Sequence, residues 1–307
     1  MKIGFIGLGT MGSRMANNLL QAGHELVLND MNKAAAQPLL TQGASWADTP
    51  ALLGKQVGLV LLSLPGPSQV QQVIHGADGL VAGLGPGSAI FDFSTNAPSV
   101  IRNLNRDLAS KGIQFLDAPV SGGPTGAASR KLVIWASGDR ASFNQYQEVL
   151  SSMSDDVQFL GQIGAASVAK LVHNCMGYMF NAAIAEVFSM GVKAGVEAPT
   201  LFKALRSGAM GRRRTFDGLA THFLSGDYEP ARFSLKLAHK DVTLANELGQ
   251  EMALDMQFAK LTLAQMTQAL ERGWSDKDSR IAMLLAQEHA GVDVRCDPNA
   301  LTDILSR

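Results

Sequence analysis

The fold of this chain is decided close to its start, by residues 2–12, which read KIGFIGLGTMG. An apolar run at 2–6 leads directly into the spacing G-x-G-x-x-G, and a helical pattern of apolar residues follows. Glycines at this spacing permit a tight strand-to-helix turn and a close approach of the backbone to a pyrophosphate. The stretch predicts a dinucleotide site at a helix N-terminus, and its alternative is a glycine-rich turn in an unrelated fold. The residues expected to contact the cofactor here are Gly7, Gly9, Thr10, Met11 and Gly12.

Asp30 follows the second apolar run, at 25–29. A carboxylate at this strand end accepts hydrogen bonds from the ribose hydroxyls and repels a 2′-phosphate, so NAD is favoured over NADP. Lys33 supplies a cation nearby, which keeps NADP possible, and the alternative role of Asp30 is to cap a turn or helix.

Apolar runs recur along the first half of the chain, at 2–6, 25–29, 57–64, 89–93, 113–118 and 132–136, with helical patterns between them. Near-continuous apolar runs of this kind are typical of parallel strands covered by helices on both faces. The pattern therefore predicts an α/β fold, with an N-terminal doubly wound (Rossmann) parallel sheet at 1–162.

The second half, 163–307, has helical periodicity almost throughout. From Val168 the apolar positions recur at i, i+3 and i+4 as far as Phe188, which predicts one helix of roughly 30 residues ending near Ala194. Further helices are predicted at 199–207, 215–225, 234–252, 258–272 and 279–289. We expect an all-α domain built on the long helix and involved in homo-oligomer formation, as a dimer or tetramer.

Composition excludes several classes of protein. The 307 residues carry 26 Lys and Arg against 27 Asp and Glu, a net charge of −1, so neither a nucleic acid nor a membrane is an expected partner. Two cysteines are too few for a disulfide framework, and no secretory signal pattern is visible, which predicts a cytoplasmic location. The six histidines lack metal-ligand spacing, so no metal is expected.

A loop after the 113–118 run is a candidate substrate site, because residues 117–123 read DAPVSGG. Ser121, Gly122 and Gly123 offer a hydroxyl and unobstructed backbone N–H groups to a carboxylate at the edge where ligands of parallel sheets bind. Without other signals, an ordinary loop is the equally good alternative.

Two groups of charged and polar side chains lie in the helical half. Lys170 and Asn174 are four residues apart on the long helix, where a lysine can move a proton and an amide can hold the same substrate oxygen. The alternative is a solvated helix face, and Lys240-Asp241 could likewise face water. Arg212, Arg213 and Arg214 form a positive patch, either a surface turn or a clamp for a second anionic group, with Arg212 the first candidate.

Taken together, these motifs resemble the β-hydroxyacid dehydrogenase family, which includes 3-hydroxyisobutyrate dehydrogenases and tartronate semialdehyde reductases. The resemblance extends over essentially the whole chain. It implies that Lys170 is the catalytic lysine, that Asn174 holds the substrate, and that residues 121–123 bind the substrate carboxylate. It also assigns further cofactor contacts to Leu64, Pro65, Thr95 and Lys240, the last two at the nicotinamide end.

The implied function is NAD(H)-dependent hydride transfer with a small 3-hydroxy acid or semialdehyde acid, in which a lysine shuttles the proton. The alternatives are a non-catalytic dinucleotide-binding scaffold and an enzyme similar to imine reductases, against which Lys170 argues. The chain departs from the family at the three arginines, where small or hydroxylated residues are usual. The three arginines therefore suit a small anionic substrate that carries a second carboxylate, phosphate or sulfonate.

Overall fold

The computed structural model describes two compact units, Met1–Val172 and His173–Arg307. The described residues are 1–208, 211, 217–251, 253 and 255–305, without the side chains of Glu186, Val187, Met190, Asp217, Asp303 and Ile304. Arg212, Arg213 and Arg214 lie outside this part of the chain. The boundary predicted between residues 162 and 163 precedes the division between the units, because the first turns of the long helix belong to the first unit.

Six parallel strands form the main sheet of the first unit, in the order β3-β2-β1-β4-β5-β6. They are β1 (Lys2–Ile6), β2 (Glu25–Asn29), β3 (Ser45–Trp46), β4 (Leu59–Leu62), β5 (Ala89–Asp92) and β6 (Gln114–Asp117). The predicted doubly wound α/β fold is thereby confirmed. Since β1 pairs with β2 on one side and with β4 on the other, the strand order reverses beside β1, and ligands of such sheets bind at this point.

A second, three-stranded sheet corrects part of the sequence prediction. The run at 132–136 does not extend the main sheet, because it forms β8 (Leu132–Ala136) between β7 (Val120–Ser121) and β9 (Ser154–Phe159). Strand β7 runs antiparallel to β8, and β9 runs parallel to it. The sequence did not predict β9, because its Ser-Asp-Asp start lacks the apolar run of a buried strand.

Helices cover both faces of the main sheet. Alternate residues of each strand point to opposite faces, so that Phe5, Leu61 and Phe91 belong to one buried cluster while Val60 and Ile90 belong to the other. This two-sided burial is the reason that the strands read as continuous apolar runs. The helices of this unit are α1 (Gly12–Gln21), α2 (Gln37–Leu40), α3 (Pro50–Gly54), α4 (Pro67–His75), α5 (Pro98–Ala109), α6 (Gly123–Ser129) and α7 (Arg140–Ser151).

The long helix α8 (Ala165–Lys193) has 29 residues, as the apolar periodicity predicts. It starts in the first unit and continues into the second, whose core includes the buried rings of Phe188, Phe202 and Phe223. The remaining helices are α9 (Ala198–Ser207), α10 (Asp217–Thr221), α11 (Leu235–Glu251), α12 (Gln257–Glu271), α13 (Leu284–Ala290) and α14 (Pro298–Leu305). Among the described residues, no helix is long and apolar enough to cross a membrane.

Candidate active site

The glycine-rich turn after β1 has the geometry of a dinucleotide site. Gly7 adopts φ +95°, and a Cβ built there would lie 2.2 Å from the Ser63 carbonyl oxygen. A Cβ at Gly12 would lie 1.9 Å from the Gly7 carbonyl oxygen, so both positions require glycine. At Gly9, by contrast, no described atom lies within 4 Å of the Cβ position. This opening lets a ligand approach the backbone closely.

The N-terminus of α1 lies at this opening. Thr10 and Met11 complete the turn, and Met11 is the residue that precedes the helix. No side chain among the described residues caps this helix end, and the first turn, Gly-Ser-Arg-Met, contains no acidic residue. The backbone N–H groups and the helix dipole are therefore suited to an anionic pyrophosphate.

The Asp30 carboxylate ties the end of β2 to the glycine-rich turn. The Leu8 amide donates a hydrogen bond of 2.6 Å to Oδ2, and the Asn32 amide donates one of 2.7 Å to Oδ1. Each carboxylate oxygen retains a lone pair with which it can accept a ribose hydroxyl. Asp30 therefore caps the turn after β2, which was the alternative role considered for it, and it also binds the glycine-rich turn, a contact that the sequence did not predict.

Asp92, at the end of β5, organises the next two loops. The carboxylate is fully buried and accepts hydrogen bonds of 3.0 Å from the Ser94 amide and from Nδ2 of Asn96. The Ser94 hydroxyl in turn accepts a hydrogen bond of 2.9 Å from the Leu64 amide. These contacts fix Leu64 and the residues on both sides of Thr95, at the carboxyl edge of the sheet.

The ionisation of Asp92 is strongly affected by its surroundings. The pKa of this carboxyl is raised to about 6, because burial and, to a lesser extent, the negative charge of Asp117 outweigh the hydrogen bonds from Ser94 and Asn96, which act in the opposite direction. Asp117 lies directly opposite Asp92 in the pairing of β5 with β6. Two carboxyl groups therefore share one buried edge of the sheet.

Asp117, at the end of β6, holds the first turn of α8. Its carboxylate accepts a hydrogen bond of 2.9 Å from the Gly164 amide and one of 2.7 Å from the Ser167 amide. The Ser137 hydroxyl also donates to this carboxylate. Lys170, partly buried, lies three residues after Ser167 on the same helix.

The predicted carboxylate loop follows Asp117 directly. Ser121 is the last residue of β7, where it pairs with Val133 of β8. Gly122 and Gly123 adopt φ values of +128° and +61°, which L side chains rarely adopt, so the turn depends on glycine. The loop and Lys170 both belong to the first unit, on the two segments that Asp117 joins.

In the second unit, Asp241 brings together two of the predicted residues. Nδ2 of Asn174 donates a hydrogen bond of 2.6 Å to Oδ2 of Asp241, and Nζ of Lys240 lies 2.9 Å from Oδ1. The interpretation in which Asp241 faces water is wrong, because its side chain is only 1% exposed. Sequence reasoning missed this role, since a Lys-Asp pair on a helix looks the same whether the carboxylate faces water or the core.

Among the described residues, no three or more His, Cys, Asp and Glu side chains come together in a way that could hold a metal ion.

Comparison with known proteins now identifies the family. Residues 2–164 match the model described as the NAD binding domain of 6-phosphogluconate dehydrogenase. Residues 164–295 match the one described as the NAD-binding domain of NADP-dependent 3-hydroxyisobutyrate dehydrogenase. The chain belongs to the β-hydroxyacid dehydrogenase family. This β-hydroxyacid dehydrogenase is an NAD(H)-dependent oxidoreductase of small hydroxy acids, so the alternative of a non-catalytic scaffold is wrong.

Curated relatives align with this dehydrogenase over nearly its full length. It is 31% identical to 2-(hydroxymethyl)glutarate dehydrogenase of Eubacterium barkeri, over 96% of this chain and 97% of the relative. It is 29% identical to 3-sulfolactaldehyde reductase of Escherichia coli, over 95% of this chain and 98% of the relative.

Solved structures agree with this assignment. The crystal structure of 3-hydroxyisobutyrate dehydrogenase from Salmonella typhimurium superposes with a TM-score of 0.83 at 27% identity, covering 93% of this chain and 99% of that one. The structure of Psf3 in complex with NADP+ and 2-OPP has a TM-score of 0.78 at 26% identity, covering 92% of this chain and 99% of that one. Imine reductases such as that of Bacillus cereus reach a TM-score of 0.62 at 18% identity, and they share the fold alone.

The residues of this β-hydroxyacid dehydrogenase fit a nicotinamide dinucleotide. Gly9 leaves open the space that the pyrophosphate needs, and the N-terminus of α1 faces it. Asp30 and Leu64 lie at the carboxyl ends of β2 and β4, the two strands that flank β1 in the sheet. The comparisons with known proteins are consistent with either NAD or NADP.

Proposed function

We propose that this dehydrogenase interconverts a small 3-hydroxy acid and the corresponding semialdehyde acid, with Lys170 as the proton shuttle. The observation that carries the proposal is the attachment of α8 to Asp117, since it places the helix turn before Lys170 at the sheet edge where the cofactor loops lie. NAD(H), when bound, supplies or accepts the hydride. Lys170 donates a proton to the carbonyl oxygen during reduction and takes it from the hydroxyl during oxidation.

The loop at residues 121–123 is proposed to hold the substrate carboxylate. The Ser121 hydroxyl and the backbone N–H groups of Gly122 and Gly123 are the donors, and a carboxylate accepts several such hydrogen bonds at once. Consistent with this role, no described atom lies within 4 Å of the Cβ position of Gly123.

By the family resemblance, Asn174 is proposed to hold the reacting oxygen and Lys240 to contact the nicotinamide. The supporting observation is that Asp241 binds both side chains, so that neither is free to rotate away. Because Nδ2 of Asn174 donates to Asp241, its orientation is fixed by a buried carboxylate.

We propose that NAD(H) is preferred over NADP(H). The carboxylate of Asp30 is held by two backbone amides, which keeps its negative charge at the position expected for the ribose. The cation that could weaken the preference, Lys33, is directed elsewhere, since its Nζ lies 3.6 Å from Asp48 and 5.3 Å from the centre of the Trp46 ring.

The proposed substrate carries a second anionic group. Two relatives are named for substrates of this kind, a substituted glutarate and a sulfonate-bearing aldehyde. Arg212 is the proposed partner of that group, with Arg213 and Arg214 as alternatives, and all three lie outside the described residues.

The experiment that tests the proposed reaction is a turnover assay with the purified enzyme. 3-Hydroxyisobutyrate and 2-(hydroxymethyl)glutarate are supplied with NAD+, and 3-sulfolactaldehyde is supplied with NADH, while absorbance of the reduced cofactor is followed. We expect turnover of at least one of these three compounds. Because they differ in the group distal to the reacting carbon, their rates also compare a methyl, a carboxylate and a sulfonate at that position. Failure of the wild-type enzyme with the whole panel, while it still binds NADH, would contradict the proposed substrate class.

We further propose that the enzyme works in the cytoplasm as a homo-oligomer, a dimer or tetramer. Both cysteines, Cys175 and Cys296, are buried and unpaired, which suits a reducing compartment. On α12, Phe258 and Leu261 are 71% and 68% exposed, and apolar side chains of this size favour burial in an interface. Light scattering coupled to size-exclusion chromatography measures the subunit number.

A further inference from the structure

The N-terminus of α8 lacks internal partners for its first backbone N–H groups, as every α-helix does. The first hydrogen bond within the helix pattern runs from the Val168 amide to the Gly164 carbonyl, at 3.0 Å. Four amides precede it and need acceptors from elsewhere, namely those of Gly164, Ala165, Ala166 and Ser167.

Three of these four amides are satisfied by a single pair of side chains. Gly164 and Ser167 donate to the two oxygens of the Asp117 carboxylate, at 2.9 and 2.7 Å. Ala166 donates to the Ser137 hydroxyl at 3.0 Å, and that hydroxyl donates to Asp117. Only the amide of Ala165 bonds locally, to the Gln162 carbonyl at 3.0 Å.

Both side chains of this pair are removed from water, since Asp117 is 1% exposed and Ser137 is fully buried. Removing a carboxylate from water is costly unless donors replace the lost hydration. Here the amides, the hydroxyl and the positive end of the helix dipole replace it, and each also depends on the carboxylate. The attachment is therefore rigid, because a shift of α8 would leave a buried charge without partners.

Asp117 joins the two segments that carry the proposed substrate groups. After Asp117, which ends β6, the chain reaches Ser121 four residues later in β7, and β7 is anchored by its pairing with β8. Through its carboxylate, Asp117 holds Ser167, and Lys170 follows three residues later, almost one helical turn further on.

We propose that Asp117 is a positioning residue whose carboxylate, together with the Ser137 hydroxyl, sets Lys170 in register with the substrate held by the 121–123 loop. The inference rests on the proposed role of Lys170 as the proton shuttle. A misplacement of about 1 Å can cost about a hundredfold in rate, so the pair acts on the rate of the chemical step. The glycine-rich turn and Asp30, which bind the dinucleotide, have no hydrogen bond to this pair within the described residues.

The first test is the variant Asp117→Asn in the full-length enzyme. Asparagine keeps one acceptor oxygen, but its amide NH2 group replaces the other. That group faces a backbone N–H of α8 and cannot accept its hydrogen bond, so one attachment of α8 is lost. We expect kcat to fall by about ten- to a hundredfold, with the Kd for NADH, measured by fluorescence titration, changed by less than about twofold.

Asp92→Asn is the matched control, because it removes the buried strand-end carboxylate that lies opposite Asp117. Asp92 supports the Leu64 loop through Ser94 and has no hydrogen bond to α8 among the described contacts. We expect this control to raise the Kd for NADH more than Asp117→Asn does. A general loss of packing at the sheet edge would instead give both variants the same profile.

The second test is a double-mutant cycle with Lys170→Ala, assayed with the panel member that the wild-type enzyme turns over fastest. If Asp117 acts through Lys170, adding Asp117→Asn to Lys170→Ala lowers kcat no further, within about twofold. Fold-changes that multiply in the double variant would overturn the inference, because Asp117 would then act independently of the lysine.

Different results would contradict the proton shuttle and the positioning role. If Lys170→Ala keeps its turnover, the proposed proton shuttle is wrong. If Lys170→Ala is inactive but Asp117→Asn keeps the wild-type kcat, only the positioning role is wrong. Should circular dichroism show that Asp117→Asn does not fold, Ser137→Ala enters the same cycle, since it removes only the bridging hydroxyl, and the same non-additivity is expected of it.

Discussion

The Ser167 amide donates a 2.7 Å hydrogen bond to the Asp117 carboxylate, a residue 50 positions earlier in the chain. This contact connects the end of the last strand of the main sheet with the start of the longest helix. It links the DAPVSGG motif to the helix that carries Lys170, the two segments of the proposed substrate site, although they are distant in sequence. Asp117, the first residue of the motif, accepts hydrogen bonds from the first turn of the helix, and Ser121, Gly122 and Gly123, the last three, are the proposed donors to the substrate carboxylate.

The Lys170→Ala variant tests the proposed shuttle directly. General acid–base assistance contributes about 10²–10⁴ in rate, so kcat falls by about this factor. NADH affinity should stay close to the wild-type value, because the proposed partner of the lysine is the reacting oxygen and not the dinucleotide phosphates. Steady-state kinetics and NADH titration measure the two quantities. Lys193→Ala, at the exposed end of the same helix, is the control. A Lys170→Ala variant that retained more than about a tenth of the wild-type kcat would exclude Lys170 as the proton shuttle.

Substitution of Asp30 separates its two tasks. Asp30→Asn removes the charge but keeps one acceptor for the Leu8 or Asn32 amide, so NADPH affinity rises relative to NADH. Asp30→Ala removes both acceptors and weakens the binding of both cofactors, since the glycine-rich turn loses its link to β2. Titration of each variant with NADH and with NADPH gives the ratio of the two Kd values. A wild-type enzyme that bound NADPH as tightly as NADH would contradict the proposed preference.

The raised pKa of Asp92 has a consequence for stability. The pKa of this carboxyl is 3.8 in the unfolded chain and about 6 in the folded protein, so the folded protein holds the proton more tightly. Between about pH 4 and 6 the folded state therefore binds more protons, and the contribution of Asp92 to stability decreases as the pH rises through this window. The difference corresponds to about 3 kcal/mol.

The check is a thermal melt of Asp92→Asn and of the wild-type protein from pH 4 to 7. The melting temperature of the variant should rise relative to that of the wild type as the pH increases. Asp156→Asn, which changes an exposed carboxylate on β9, is the control and should show a difference that varies little with pH. A constant difference for Asp92→Asn across the range would show that its carboxyl does not titrate there.

The two directions of the reaction should respond differently to pH. The ordinary pKa of a lysine side chain is about 10.4, so at neutral pH the charged form is ready to donate a proton during reduction. Oxidation requires the neutral amine and should become faster toward alkaline pH, whereas reduction should not. The measurement is the initial rate in each direction as a function of pH. A deuterated cofactor is used to verify that hydride transfer limits the rate. Parallel profiles would indicate a proton shuttle other than Lys170.

The sequence predicted the parts of the molecule that depend on local patterns. The strand and turn at residues 2–12 and the helix α8 follow from spacing alone, because the glycine geometry and the apolar periodicity are local properties. The joint roles of Asp117 and Ser137 could not be predicted, since their side-chain contacts join residues that lie 20 to 50 positions apart. Asp241 was missed for a related reason, as its burial depends on helix packing in the second unit.

A second anionic group on the substrate leads to the last prediction, which concerns Arg212, Arg213 and Arg214. An arginine that pairs with a distal carboxylate or sulfonate makes charge-assisted hydrogen bonds worth about 1.5–3 kcal/mol, or roughly ten- to a hundredfold in kcat/KM. 2-(Hydroxymethyl)glutarate should therefore be turned over more efficiently than 3-hydroxyisobutyrate, which has a methyl group in place of the carboxyethyl arm that carries the second acid. Arg212→Ala should abolish this advantage and leave the Kd for NADH unchanged. Arg213→Ala and Arg214→Ala test the two alternative partners in the same segment, and at least one of the three single variants should lose the advantage. If all three variants kept the wild-type ranking of substrates, the segment would be a surface turn, and the selectivity for a distal anion would have to come from other residues.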